Sequence, residues 1–268
     1  YKTMSFQVLN TSGYARRGEL TTKTCAVQTP VFMPVGTYGT VKGLTPEHLH
    51  DIGFEIILGN AFHLHQRPGL ETIKKFNGLH DFMGWNKSIL TDSGGFQIWS
   101  LNDLRKITEE GVEFKSPLDG SKIFMSPEDS IDTQLTLNSD IIMAFDECTD
   151  YPSSYEDAEQ SMHLTHRWTE RSLNYFQKHQ KGHLLFGIVQ GGMHEELRKQ
   201  SLAFMNNLQL DGIALGGLSV GEPKAEKTKI LKYLAPMLPA NKAHYVMGVG
   251  TPEELSLIHI SEPTRPNE

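Results

Sequence analysis

The sequence predicts an α/β fold, a (β/α)8 TIM barrel of parallel strands covered by helices. Three observations lead there. Short, near-continuous apolar runs recur along the chain and each is followed by a helix-forming segment, the pattern of a parallel sheet buried on both faces. Seven such runs fall near residues 31, 56, 88, 141, 184, 212 and 245. Their spacing of roughly 25 to 50 residues suits one barrel better than two domains. The competing fold, a doubly wound open sheet, calls for a G-x-G-x-x-G fingerprint at its first strand–helix turn. That turn lacks it.

Taken in order, residues 5–28 read as short β segments with Arg16-Arg17-Gly18 as a basic turn. Val31–Thr37 is an apolar run ending in a Gly-Thr turn, and Thr45-Pro46-Glu47 opens a helix. Ile56–Leu58 continues into Gly59-Asn60, and Pro68-Gly69 precedes a helix to about Phe76. Ile89–Leu90 is the third run. Val112–Phe114 and Ile123–Met125, joined through Asp119-Gly120, predict an inserted β-hairpin. Ser126-Pro127-Glu128 starts a helix, Ile141–Phe145 is a strand, and a long polar helix runs from about Tyr155 to His179. Leu184–Val189, Gly212–Leu215 and Tyr245–Met247 are strands, alternating with helices over His194–Leu208 and Ala225–Leu234. Thr45, Ser126 and Thr251 can each cap free amides, with Pro46, Pro127 and Pro252 at the first helical position. Glu254 gives Thr251 the spacing of a capping box.

Composition narrows the class. The chain has 268 residues, of which 38% are hydrophobic, enough for a proper core. No apolar run reaches the length of a membrane span and the N-terminus carries no signal pattern, so a cytoplasmic protein is expected. Cys25 and Cys148 make neither a disulfide framework nor a four-ligand zinc site. His163 and His166 share a helix face but have no carboxylate or cysteine motif beside them, which favours structural histidines. A net charge of −7 argues against loose, charge-driven binding of nucleic acid, though not against a shaped site.

The stretch Ser88-Ile89-Leu90-Thr91-Asp92-Ser93-Gly94-Gly95-Phe96-Gln97 stands apart. An apolar run ends abruptly in a carboxylate, a hydroxyl and two glycines, whose missing Cβ lets a ligand approach the backbone. Barrel active sites lie at the carboxyl ends of the strands. Those ends supply Asp92, Asp146, Gln190, Gly217 and Gly248 in succession. Two carboxylates accept N–H bonds, an amide both donates and accepts, and the backbone of Gly217 and Leu218 adds one donor and one acceptor. This set complements the edge of a guanine-like ring, with Phe96 and Met247 as stacking surfaces. Taken singly, each residue also fits a turn or a core position; five strand ends together point to a ligand site.

At these residues the chain resembles the tRNA-guanine transglycosylases. The resemblance rests on Thr91-Asp92-Ser93-Gly94-Gly95-Phe96-Gln97, Phe145-Asp146-Glu147-Cys148, Gln190-Gly191 and Gly216-Gly217-Leu218-Ser219-Val220-Gly221-Glu222. Met33-Pro34-Val35-Gly36-Thr37 and Met247-Gly248-Val249-Gly250 add to it, and it runs from about residue 5 to residue 255. It implies exchange of a tRNA anticodon guanine (GUN anticodon) for a 7-deazaguanine base, on the route to queuosine. Asp92 would be the general acid/base. Ser93, Gly94, Gly95, Asp146, Gln190 and the Gly217 amide would form the purine site, with the Leu218 carbonyl receiving an aminomethyl group and Phe96 and Met247 sandwiching the ring. Cys148 and Val220 match the bacterial pattern, which takes preQ1 (7-aminomethyl-7-deazaguanine). Gly248, Val249, Gly250, Thr251, Pro252, Glu253 and Glu254 resemble the RNA-contacting loop, where a helix N-terminus favours phosphate.

Base exchange that keeps the ribose in the RNA favours two displacements through a carboxylate nucleophile. The resemblance implies an aspartate on an eighth strand, then a zinc site of three cysteines and one histidine. Residues 256–268 match neither; they read as an unrelated tail after an incomplete barrel over residues 1–255, with Asn267 near the nucleophile position and Glu262 and Glu268 outside the motif. The expectation is a chain that binds no zinc and is inactive alone, with a homodimer in longer relatives. Two other readings stay open: a non-catalytic tRNA-binding subunit, and a glycosidase using Asp92 and Asp146 on the same barrel.

Overall fold

The structure is a computed structural model that describes residues 5–101, 105–251 and 255. It opens with an antiparallel sheet of β1 (Phe6–Ser12), β2 (Ala15–Thr21) and β3 (Ala26–Thr29), in that order. The register sets Phe6 against Leu20 and Leu20 against Val27. All three are buried with Ile56, Leu184 and Ala243, which stand at or near the starts of the parallel strands. The N-terminal sheet thus closes the barrel interior at the amino ends. Arg16-Arg17-Gly18, expected as a turn, lies within β2. Arg16 donates to the carbonyls of Ala240 (2.6 Å) and Lys242 (3.2 Å), and its Nη2 lies 2.6 Å from His244 Nδ1.

The first parallel strand, β4 (Val35–Gly36), is shorter than the apolar run Val31–Thr37 suggested. Pro30 and Pro34 remove two ladder donors from that run, although the Pro34 carbonyl still accepts from Leu58 N–H at 2.9 Å. Next come α1 (Pro46–Ile52), β5 (Ile56–Gly59), the short α2 (Ala61–Leu64), α3 (Leu70–Lys75) and α4 (Leu79–Met83). After β6 (Ser88–Thr91) the chain turns through two glycines into α5 (Gly95–Trp99). The inserted sheet has three strands, one more than expected: β7 (Arg105–Ile107), β8 (Val112–Lys115) and β9 (Lys122–Met125). The remaining alternation is α6 (Pro127–Leu137), β10 (Ile141–Met143), α7 (Tyr155–His179), β11 (Leu184–Val189), α8 (Glu195–Asn207), β12 (Gly212–Leu215), α9 (Lys224–Leu234) and β13 (Ala243–Val246).

The main sheet is a curled, seven-stranded half-barrel in the order β13-β12-β11-β10-β6-β5-β4. Every neighbouring pair is parallel, so all carboxyl ends share one rim. Among the described residues β4 and β13 have no second strand partner. Side chains alternate as strand geometry requires: Leu184, Phe186 and Ile188 face the interior. Leu185 and Val189 pack outward with Phe176 of α7 and Leu202 and Met205 of α8.

Helix starts follow local chemistry. Thr45 accepts from His48 N–H and Ser126 from Asp129 N–H, each completing a capping box with proline at the next position. The third expected cap, Thr251, is followed by Pro252, Glu253 and Glu254, which lie outside the described residues, as do residues 256–268 with Glu262, Asn267 and Glu268. Among the described residues no helix is long and apolar enough to cross a membrane.

Candidate functional site

Because the strands are parallel, the polar residues that follow them collect on the carboxyl rim. Asp92 comes directly after β6 and is partly buried. Its Oδ1 accepts from Ala61 N–H at 3.0 Å, and its Oδ2 accepts from Asn60 Nδ2 at 2.8 Å and Gln97 Nε2 at 3.3 Å. Burial pushes its carboxyl up to about 7; the Ala61 amide opposes the shift and the nearby Asp146 adds to it. A carboxyl poised there can both give and take a proton near neutrality. Asn60 ends β5 and caps α2 through His63 N–H (3.0 Å), so the second strand's end fixes the group on the third.

Asp146, after β10, is 6% exposed. Ser93 Oγ–H donates to its Oδ1 at 3.0 Å and Gln190 Nε2–H to its Oδ2 at 2.7 Å. Burial raises its carboxyl, against the hydrogen bonds from Gln190 and Ser93. Gly95 packs directly on it: a Cβ there would lie 2.6 Å from the Asp146 carbonyl and 2.7 Å from Oδ1. The gap that the missing Cβ of Gly95 leaves is therefore taken by Asp146, not by a ligand as the sequence suggests. Gln190 Oε1 is buried without a hydrogen-bond partner among the described residues. Gly217, at φ +61°, lies so close to it that any Cβ would collide with that oxygen.

Three groups escaped the sequence reading. Asn60 is one. Arg198 is fully buried in the first turn of α8 and donates to the carbonyls of Val189, Gly192, Gly216 and Gly217. Glu222 accepts from Ser219 N–H (2.5 Å) and Val220 N–H (2.8 Å), holding the turn after β12 on which the Leu218 carbonyl sits. Its place in the motif Gly221-Glu222 was visible, but not its inward direction.

The other expected residues fall around this centre. The Leu218 carbonyl lies against Gly248, and the Gly248 carbonyl accepts from Ser219 Oγ–H at 2.7 Å. Met247 borders Gly216 and is partly buried in the barrel interior. Phe96 is 45% exposed and leans on Trp99, with ring centroids 5.2 Å apart. Gly94, at φ +86°, caps α5 and faces Phe62. Cys148 is buried beside Asp146, and that burial raises its thiol. Val249 and Gly250 continue outward, Gly250 approaching the Phe32 ring, and Leu255 N–H donates to the Thr251 carbonyl at 2.9 Å. An open cleft of about 260 Å3, bounded by Asp150, Tyr151, His194, Gln190, Gly217 and Val220, opens beside this cluster.

A zinc site of three cysteines and a histidine does not fit the described residues. Cys25 sits at the amino ends of the strands, 3.2 Å from Ser88 Oγ, and Cys148 at the opposite rim. No cluster of three or more metal-ligating side chains occurs among the described residues.

Known proteins match the chain along most of its length. A family model described as queuine tRNA-ribosyltransferase matches residues 11–259, which takes in every strand of the main sheet and its rim. The queuine tRNA-ribosyltransferase of Dechloromonas aromatica (strain RCB) is 59% identical over 252 residues, covering 94% of this chain and 68% of that relative. Those of Janthinobacterium sp. (strain Marseille) and Acinetobacter baumannii (strain ACICU) are 56% and 57% identical, over 94% of this chain and 68% and 67% of theirs. A barrel whose rim gathers Asp92, Ser93, Asp146, Gln190 and Gly217, matched along nearly its whole length, belongs to the queuine tRNA-ribosyltransferase family.

Proposed function

We propose that the chain carries the purine site of a tRNA-guanine transglycosylase, a pentosyltransferase that exchanges an anticodon guanine of tRNA for preQ1 in queuosine biosynthesis, and that without a second, nucleophilic carboxylate this chain is inactive alone. One observation carries the proposal: the buried Ser93–Asp146–Gln190 cluster, with Gln190 Oε1 unpartnered next to Gly217. A guanine edge offers two adjacent N–H donors beside a carbonyl. Asp146 takes the donors, and in doing so regains the interactions that burial costs its charged form. The Gly217 amide and the Gln190 amide, freed from Asp146, donate to the ring carbonyl. The Leu218 carbonyl accepts from an aminomethyl group, which suits preQ1, and Phe96 and Met247 cover the ring faces.

Asp92 moves the proton. Protonated, it delivers a hydrogen to the departing guanine as the ribose passes to a second, nucleophilic carboxylate, the one expected on an eighth strand; ionised, it withdraws a proton from the incoming base as that base takes the ribose back, and a value of about 7 makes both forms available. Asn60, Ala61 and Gln97 fix its two oxygens. The tRNA substrate is the GUN-anticodon class, contacted by the loop from Gly248 to Glu254, in a cytoplasmic homodimer. No step is assigned to a metal, since the described residues do not fit one.

No observation favours the carboxylate-pair glycosidase reading over this one, since Ser93 and Gln190 build around Asp146 the donor and acceptor set that complements a purine edge. The test is calorimetric titration of the purified chain with guanine and preQ1. Asp146→Ala should weaken binding by about 2–5 kcal/mol, the cost of unpaired donors at a buried charged partner. Unchanged affinity would overturn the assignment.

A further inference from the structure

We infer that Arg198 is the positioning residue of the purine site, and that its guanidinium sharpens the Gly217 amide as a donor to a ring carbonyl. The inference rests on the purine reading above. A fully buried arginine ordinarily faces a carboxylate. The hydrogen bonds of Arg198 instead go to backbone oxygens: Nε to Gly192 at 2.8 Å, Nη1 to Val189 at 2.9 Å and Gly216 at 2.6 Å, and Nη2 to Gly217 at 3.2 Å. Burial lowers its pKa only to about 10, so it stays charged at neutral pH.

The four carbonyls belong to two turns on adjacent strands. Val189 and Gly192 flank Gln190 at the end of β11, and Gly216 and Gly217 follow β12. One planar fork therefore sets the separation between the Gln190 side chain and the Gly217 amide, the two groups that meet the same ring carbonyl. A flexible ammonium has no such fork. On the β12 side the fork sits tightly: a Cβ at Gly217 would lie 3.1 Å from Arg198 Nη2.

The same contact has an electronic effect. The Gly216 carbonyl and the Gly217 N–H are two ends of one peptide group. A cation on the oxygen draws electron density through the amide and makes its N–H a stronger donor, as in any charge-assisted chain of hydrogen bonds. A base with a hard carbonyl acceptor then gains more than one with a soft acceptor at that position.

The test is a comparison of guanine with 6-thioguanine, which keeps the ring donors and replaces only the carbonyl oxygen by sulfur. Dissociation constants are measured by calorimetry for the unmodified chain, Arg198→Lys and Arg198→Met, with thermal melting in parallel. The unmodified chain should prefer guanine by about tenfold, one strong hydrogen bond's worth. Both variants should lose most of that preference, to about twofold or less. A variant whose two affinities fall by the same factor, with the preference kept, marks Arg198 as merely structural and overturns the inference. Equal binding of both bases by the unmodified chain overturns it without any variant, which covers the case of a variant that does not fold. If the unmodified chain binds neither base, the purine reading itself falls.

Discussion

Replacing Asp92 by Asn should stabilise the folded chain at alkaline pH far more than at acid pH. The carboxyl is held at about 7 against an ordinary 3.8. Between those values the folded chain keeps a proton that the unfolded chain has released. Folding takes up that proton, so stability falls as pH rises through the window and is lowest above it. The difference amounts to ~4 kcal/mol, of which ~2–3 kcal/mol accrues between about pH 5 and about pH 8. Asn imitates the protonated acid: it presents one acceptor to Ala61 N–H and one donor toward Asn60 and Gln97, and Gln97 Oε1, buried and without a partner among the described residues, can receive it. Any loss of hydrogen bonding is therefore nearly the same at both pH values and cancels in the difference. Urea unfolding followed by the fluorescence of Trp85, Trp99 and Trp168 measures it. The gain from Asp92→Asn should be larger by about 2 kcal/mol at the higher pH. A gain that does not change with pH would refute the buried, proton-holding Asp92.

Two further outcomes follow from packing. Gly95→Ala places a methyl group against the Asp146 carbonyl and carboxylate, so it should abolish purine binding in calorimetry while α5 itself, which favours alanine, still forms by circular dichroism. Among the described residues strands β4 and β13 have no second strand partner, and Val31, Phe32, Val35 and Tyr38 near β4 are each more than a third exposed. The purified chain should self-associate with rising concentration in sedimentation velocity, and a monomer across the whole range would contradict this.

The barrel was legible because each parallel strand is written locally, as a short apolar run closed by turn residues. Asp92, Asp146, Gln190 and Gly217 were legible for the same reason, since each falls within a few residues of a strand end. Arg198 was not. It stands in Glu195-Glu196-Leu197-Arg198-Lys199-Gln200, which reads as a solvated helix turn, and only the packing of α8 on β11 turns that one side chain inward. Asn60 was hidden because its partner Asp92 is 32 positions away and no pattern links them. The short helices α2, α4 and α5 have too few residues for a helical period to show. The strand β4 was overread because an apolar run predicts burial, while Pro30 and Pro34 limit how much of it can pair.

The clasp of the N-terminal sheet on β13 and the turn before it has a kinetic consequence. Arg16 is tied to residues 239–244 and Phe6 shares a core with Ala243. Contacts this distant in sequence give a high contact order, and their loop-closure cost must be met before they return any stability. Arg16 finds its partners 223 to 228 positions later in the chain. Until they emerge, Phe6, Leu20 and Val27 have no complete core to enter, and the nascent chain carries that apolar face exposed.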